Sequence, residues 1–371
     1  MKMNGRILLI LLTLIYGCID PIELDISEEL RILVVEGFIS TGPGPHQIKL
    51  SKGAKFGDIL NALIKSEVGA DVWIRDNDGN VTFLTEVSPG TYLTPDHGNI
   101  TFIDEVRSEG TYFTPDDWRA ELHKSYTLNI ITGAGAQYTS SPETIVPVAP
   151  IDSLILQFKK IPTADPAIFI SGVEVFARFQ DPPDSRDFYI WRNNGTYIIE
   201  THPELFTIRN IFNPGMPIPA PKDCCSICWI FEFNADFSIK ILNDKNSNGT
   251  INTELAAFIP DDGLRFHSKY MAVIRQLSIS SEAHAFFDLL EKQLSIDGDI
   301  FDPPPATIRG NMINLDNPEE NVIGYFHASD VSIDTIFIER SVLEDFQNAR
   351  QINDDCRVLR LATVDKPDFW E

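Results

Sequence analysis

Apolar and polar residues alternate along most of the chain with the two-residue period of β-strands. The clearest examples are residues 125–132 and 264–277, where alternate positions are apolar. Residues 71–75 and 80–84 flank Asp76-Asn77-Asp78-Gly79, a turn sequence typical of β-hairpins. Many short strands divided by frequent turns predict a mainly all-β protein built as a sandwich or a barrel.

One segment has the 3.6-residue period of a helix instead. Ser280 and Ser281 are N-cap residues at its start, and apolar residues then recur at intervals of three and four. This spacing predicts one amphipathic helix whose aromatic pair faces the core. The apolar positions are Ala283, Phe286, Phe287, Leu290 and Leu294.

A proline-rich segment over residues 146–150 is the best candidate linker, because prolines favour an extended, semi-rigid chain. It predicts a first domain over residues 30–147, a second over residues 150–345 and a C-terminal tail over residues 346–371. Three strands are expected to close the second domain, at residues 308–313, 322–328 and 332–339.

The N-terminus has the pattern of a secretory signal peptide. Two cationic residues precede an apolar run over residues 7–15, which is shorter than the roughly 20 residues of a membrane-spanning helix. The run ends at Ile15-Tyr16-Gly17-Cys18, which resembles the lipobox of bacterial lipoproteins. It predicts a signal peptide over residues 1–17, acylation of Cys18 and a short tether over residues 18–29. An ordinary signal peptide followed by a coincidental cysteine is the alternative.

The acidic composition narrows the choice of partners. The 371 residues carry a formal net charge of −24, which repels nucleic acid and anionic lipid. The acids are scattered, as on a solubilising surface. After the signal peptide no apolar run approaches the roughly 18 residues of a transmembrane helix. We therefore expect contact with the lipid bilayer only through acylated Cys18, and no nucleic-acid partner.

Four cysteines remain besides Cys18, namely Cys224, Cys225, Cys228 and Cys356. Export permits disulfides, and we expect two. Cys356 is expected to bond to the cluster and fix the tail, whereas planar trans peptide geometry disfavours a bond between the neighbours Cys224 and Cys225. Zinc would need four ligands. A redox Cys-x-x-Cys would need a strand-to-helix context that this proline-rich segment lacks.

The segment from Asp244 to Gly249 resembles the start of an EF-hand calcium loop. Its spacing would place oxygens of Asp244, Asn246 and Asn248 on one concave turn, so these are the candidate calcium ligands. The twelfth position is Leu255 rather than glutamate, and no helical pattern flanks the loop. A plain turn between two strands is therefore the favoured alternative, and no other cofactor is expected.

No catalytic motif stands out in the sequence. It contains no Gly-x-Ser-x-Gly elbow, no phosphate-binding glycine-rich loop and no His-Glu-x-x-His. The seven histidines are dispersed without ligand spacing. The protein is therefore expected not to be an enzyme, and a hydrolase with an unrecognised site is the least favoured alternative.

Several segments form an ordered set along the chain: the lipobox, residues 33–39, residues 69–72 with the turn at Asp78-Gly79, residues 140–154, 301–306, 310–311 and 324–326, and the tail at residues 355–357 and 366–370. Taken in this order, they resemble a family of outer-membrane lipoproteins of Bacteroidota catalogued as domain of unknown function 4249. The resemblance implies an immunoglobulin-like N-terminal β-sandwich and a second β-rich, sandwich-like domain. It also implies genes that neighbour those of TonB-dependent receptors, and it supplies no catalytic residues.

The sequence and the resemblance together favour a lipid-anchored, non-enzymatic protein of the outer membrane. The leading interpretation is an accessory or assembly partner of a TonB-dependent β-barrel receptor. A surface adhesin or glycan-binding lipoprotein is the main alternative.

Overall fold

The computed structural model describes residues 32–52, 65–86, 111–115, 117–163, 168–233, 239–294, 308–348 and 350–370. The predicted signal peptide, Cys18 and the whole predicted tether lie outside these ranges. The described residues form 23 strands and one α-helix, which confirms the prediction of a mainly all-β, sandwich-like protein. No helix among them is long and apolar enough to cross a membrane.

Two facing sheets form the first sandwich. The first sheet contains β1 (Leu33–Ser40), β2 (Gln47–Lys52), β3 (Lys65–Ser66), β6 (Thr85–Glu86) and β7 (Thr111–Phe113). The second sheet contains β4 (Asp71–Asp76), β5 (Val81–Phe83), β8 (Ser125–Ile131), β9 (Gln137–Ser140) and β10 (Glu143–Thr144). Each sheet has a sixth strand, which comes from the C-terminal part of the chain.

The alternating pattern places one face of each strand in the core between these sheets. In β8, Tyr126, Leu128 and Ile130 are buried, whereas the residues between them are partly exposed. The hairpin predicted around Asp76 is confirmed, because β4 pairs with β5. An oxygen of the Asp76 carboxylate accepts hydrogen bonds from the backbone N–H groups of Asp78 and Asn80, at 3.0 and 2.8 Å, and this holds the turn.

The two additional strands are β20 (Met312–Asn314) and β21 (Ile323–Ser329). β20 pairs with β9, and β21 pairs in parallel with β1 from Val34↔Ile323 to Ser40↔Ser329. The prediction that these segments close the second domain is therefore wrong. Alternation shows which face of a strand is buried but not which strand lies beside it, and Phe326 and Ala328 of β21 are buried in the first core.

The second sandwich packs a three-stranded sheet on a six-stranded one. The small sheet contains β11 (Ile151–Pro162), β12 (Phe169–Gln180) and β18 (Ile251–Pro260). The large sheet contains β13 (Phe188–Glu200), β16 (Ile227–Phe233), β17 (Lys240–Asn243), β19 (Lys269–Ser278), β22 (Val331–Glu339) and β23 (Ala362–Thr363). A separate two-stranded hairpin contains β14 (Thr207–Ile208) and β15 (Ile218–Pro219).

The proline-rich segment between the sandwiches is tied to the second one by hydrogen bonds. Ser278 Oγ donates to the carbonyl of Val146 at 2.7 Å, and Gln276 Nε2 donates to that of Ala149 at 2.8 Å. The Gln276 oxygen accepts from the indole N–H of Trp191 at 3.0 Å. Gln276 therefore links the Ala149 carbonyl to Trp191 of β13, and Ser278 links the Val146 carbonyl to β19. These bonds fix the direction in which the segment enters the second sandwich.

The predicted helix is present as α1 (Ser281–Leu294). Ser280 Oγ accepts from the N–H of Ala283 at 3.1 Å, which confirms the N-cap, and donates to the buried carboxylate of Glu143 at 2.8 Å. Phe286 and Phe287 are buried in a cluster that also contains Tyr325 of β21 and residues of the second sandwich. The helix therefore packs between the two sandwiches and contacts both.

The disulfide from the tail to the cysteine cluster is confirmed, because Cys228 of β16 is bonded to Cys356, with 5.8 Å between the Cα atoms. Cys224 and Cys225 are bonded to each other as well, contrary to the sequence argument. The peptide bond between these residues is cis rather than the trans form expected, and their Cα atoms lie 3.1 Å apart. Beyond Cys356, the buried side chain of Trp370 packs on the large sheet.

Candidate functional site

A cavity of about 700 Å³ lies where the first sandwich, the large sheet of the second sandwich and α1 meet. Alternation in β1 positions its wall, because Leu33 and Val35 enter the core of the first sandwich while Glu36 and Phe38 line the cavity. The opposite wall comes from β13, β19 and α1. The volume falls within the range of about 300–1,000 Å³ that is typical of small-molecule sites.

Aromatic side chains form much of the cavity wall. Phe38 stacks on His327 with 5.0 Å between ring centroids, and Phe287 contacts the same imidazole edge-on at 5.7 Å. Phe286 lies 5.1 Å from the ring of Tyr325. These rings come from β1, β21 and α1, so the wall forms only when all three elements are in place.

Two arginines face each other across the centre of the large sheet and line the cavity. Arg192 of β13 is directly opposite Arg275 of β19 in the register. The guanidinium of Arg192 lies 5.6 Å from the Phe287 ring and makes no ion pair among the described residues. Burial lowers the pKa of Arg192 to about 10, although the charge of Glu36 acts in the opposite direction. Like charges in such a cross-strand pair are destabilising unless an anion lies between or beside them.

The two histidines of the cavity wall contribute no charge at neutral pH. Burial, with a smaller effect of the Arg192 charge, lowers the pKa of His327 to about 3. Burial and the charge of Arg275 lower the pKa of His46 to about 4. Among the described lining residues, the charged side chains are then Arg192, Arg275 and Lys49 against the one carboxylate of Glu36. The cavity is therefore cationic within a strongly acidic protein.

His327 has one hydroxyl partner, but their geometry favours a structural role. Its Nδ1 lies 2.8 Å from Ser329 Oγ, as a nucleophile–base pair would. Ser329 is fully buried and lies outside the cavity lining, so a bound molecule would not reach its hydroxyl. The contact fixes the imidazole ring between Phe38 and Phe287.

The hydrophobic pattern and the sequence motifs did not point to these cavity residues. One signal was present, since Arg192 continues the face of β13 that buries Ile190. A cation at an otherwise apolar position of a central strand is unusual. The pairing of Arg192 with Arg275 was not predictable, because 83 positions separate them and only the β13–β19 register brings them together.

The predicted calcium loop has a different set of neighbours from the one expected. It forms a turn between β17 and β18, in which Asn246 and Asn248 are exposed and Asn248 Nδ2 donates to the carbonyl of Ser185 at 2.6 Å. Asp244 instead lies with Asp181 and Asp187, and one carboxylate oxygen from each lies within 4.8 Å of the others. All three carboxylates are buried.

Donors reach two of these three carboxylates. Tyr189 Oη and the N–H of Gly249 donate to Asp181 at 2.8 and 3.1 Å, and Ser185 Oγ donates to Asp187 at 2.6 Å. Both carboxylate oxygens of Asp244 are buried without a hydrogen-bond partner. Burial, followed by the charges of Asp181 and Asp244, raises the pKa of Asp187. The sequence motif identified only Asp244, because the other two residues precede it by more than 50 positions.

Two β-sandwiches, the first completed by β20 and β21 from the C-terminal part of the chain, enclose a cationic, aromatic cavity and define a mainly β protein. The chain belongs to the family described as Domain of unknown function (DUF4249), which it matches over residues 19–334. This range includes every residue of the cavity wall and all three clustered aspartates. Comparisons with curated proteins and with solved structures gave no match.

Proposed function

We propose that this protein is a non-enzymatic, lipid-anchored accessory protein of the outer membrane that binds a small organic anion. We further propose that it works with a TonB-dependent β-barrel receptor. The cavity with its two facing arginines carries the binding proposal. The membrane anchor is supported by the lipobox at Cys18, and the receptor by the family resemblance in the sequence.

The cavity chemistry favours an anion with an apolar or aromatic body. A guanidinium is a planar donor that matches carboxylate and phosphate groups. Such a group near Arg192 and Arg275 would relieve their repulsion, while Phe38, Phe286 and Phe287 would contact the apolar part of the ligand. A cationic cavity in an acidic protein also concentrates anions locally.

Thermal melting tests this binding with a panel of aromatic carboxylates and organic phosphates beside neutral analogues of the same shape. We expect at least one anion to raise the melting temperature of the wild type, with no effect of its neutral analogue. Arg192→Gln should lose that shift, whereas Arg178→Gln, which alters an exposed arginine of β12, should retain it. A panel without any stabilising anion would contradict the proposal.

An exposed apolar hairpin tip supports a protein partner. The turn between β14 and β15 projects Ile211, Phe212 and Met216 outward, with 78%, 92% and 66% of each residue exposed. Apolar residues clustered at such a tip mark surfaces of interaction rather than ordinary solvent-facing turns. We propose that this tip contacts the receptor.

Co-purification in mild detergent tests the partner. A C-terminally tagged protein should enrich a β-barrel receptor over an unrelated lipoprotein, and replacing Ile211, Phe212 and Met216 by serine should remove the enrichment. Phe83→Ser is the matched control, because Phe83 is 65% exposed on the first sandwich. If no barrel protein is enriched, the receptor proposal fails and the adhesin or glycan-binding alternative replaces it.

A further inference from the structure

Three buried carboxylates meet at one end of the second sandwich, apart from the residues that line the cavity. Asp181 follows β12 of the small sheet, whereas Asp187 precedes β13 and Asp244 follows β17, both of the large sheet. The cluster therefore lies where the two sheets of this sandwich are joined by their connecting segments.

The cluster lacks a compensating cation among the described residues. None of the three aspartates forms an ion pair with lysine, arginine or histidine there. Asp244 is fully buried, and neither of its carboxylate oxygens has a hydrogen-bond partner. An ionised carboxylate in such a position is strongly destabilising unless a proton or a cation neutralises it.

We propose that Asp181, Asp187 and Asp244 bind a calcium ion. Calcium is a hard cation that takes oxygen ligands at about 2.3–2.6 Å, so ligand oxygens around one ion lie within roughly 5 Å of each other. The aspartate oxygens satisfy this condition, being within 4.8 Å of one another. Magnesium requires near-ideal octahedral geometry, whereas calcium accepts the irregular arrangement that three separate segments provide.

The expected consequence is structural. Calcium would offset two of the three negative charges and join the end of β12 to the segments beside β13 and β17, so that the small and large sheets are held together there. Sites of this kind in exported proteins have dissociation constants of about 10⁻⁴–10⁻³ M. Binding at that affinity stabilises the folded state by mass action without any contact to the cavity.

Melting of the full chain in detergent tests the site, with EDTA compared with about 5 mM calcium or magnesium. Calcium should raise the melting temperature of the wild type by several degrees, and magnesium should raise it less. Asp244→Asn should lose the calcium shift. In EDTA this variant should melt at or above the wild-type temperature, because the substitution removes repulsion within the cluster.

Two control variants separate this site from a loop of the EF-hand type and from general charge effects. Asp184→Asn, in the exposed part of the same β12–β13 connection, and Asn246→Ala should both keep the calcium shift. Asp187→Asn provides a second test of the cluster if Asp244→Asn folds poorly. A wild type that neither shifts with calcium nor binds it by calorimetry overturns the proposal, as does a full shift in both cluster variants.

Discussion

At the scale of single residues, the most informative positions are like charges that the fold places beside one another. Arg192 faces Arg275 across two paired strands, and Asp244 faces two other buried aspartates. Both arrangements are unfavourable in isolation, and a bound ligand of opposite charge would offset the repulsion in each. This is the physical reason for proposing an organic anion at one site and calcium at the other.

The sequence identified Asp244 but not the rest of either cluster. A motif of oxygen-bearing residues within six positions can be recognised from the sequence alone, and it indicated Asp244, Asn246 and Asn248 as calcium ligands. The actual neighbours of Asp244 depend on which strands end at the same edge of the sandwich. Arg192 and Arg275 depend on strand register in the same way, so sequence reasoning could not bring them together.

Stability should fall between about pH 7 and about pH 5 because of His46 and His327. Their folded-state pKa values, about 4 and about 3, lie below the ordinary value of 6.5, so acid protonates the unfolded state first. Their contribution is present above pH 6.5 and is lost as the pH falls, by about 1.4 kcal/mol per pH unit for each histidine. Urea unfolding of the wild type and His327→Gln at both pH values measures this effect.

Comparing the pH dependence of stability in the wild type and in His327→Gln separates the effect of His327 from the opposite effect of Glu143. Burial raises the pKa of Glu143, so its contribution is present below its ordinary pKa of 4.5 and is lost as the pH rises through the higher folded-state value. Because Glu143 is unchanged in both proteins, His327→Gln should lose about 2 kcal/mol less than the wild type between these pH values. Equal losses in the two proteins would refute the assignment to His327.

At the scale of elements, the hydrophobic pattern predicted where strands and the helix lie along the chain. It was less successful in predicting which elements lie beside one another in the fold. The hairpin of β4 and β5 and helix α1 formed where their patterns indicated, because turns and helix caps are local. β20 and β21 read equally clearly as strands, but they were predicted in the wrong sandwich. Pairing over such long sequence distances is decided by the packing of the whole molecule, which a local pattern does not contain.

The pairing of β21 with β1 should make Gly324 unusually intolerant of substitution. Its φ is +102°, and an added Cβ would overlap the backbone of Val35 in the neighbouring strand. Gly324→Ala should therefore destabilise the protein by more than about 3 kcal/mol, as measured by urea unfolding.

Gly69→Ala is the matched control for backbone conformation. Gly69 also has a positive φ, of +69°, but an added Cβ there would meet no atom within 4 Å. Gly69→Ala should therefore lower the free energy of unfolding by only about 1–2 kcal/mol, which is the cost of the left-handed conformation itself. Similar losses in the two variants would mean that the close approach of β21 to β1 is not important for stability.

At the scale of the whole molecule, the cavity exists because the chain returns to its first sandwich through β20 and β21 before β22 and β23 complete the second. Its walls include Glu36 and Phe38 near one end of the described chain and Tyr325 and His327 near the other. The mainly β composition and the sandwiches were predictable from the sequence. The cavity was not, since it lies between units whose contacts depend on β21 and α1.

Anion binding in the cavity is tested most directly by identifying the small molecules that accompany the protein when it is purified from its native membrane. The protein would be denatured, and the released small molecules would be identified by mass spectrometry, with Arg192→Gln and Arg178→Gln treated identically. If the cavity binds an organic anion through Arg192, that anion should be released from the wild type and from Arg178→Gln but be depleted in Arg192→Gln. Equal amounts of every released molecule in all three proteins, or no anion in any of them, would contradict this binding.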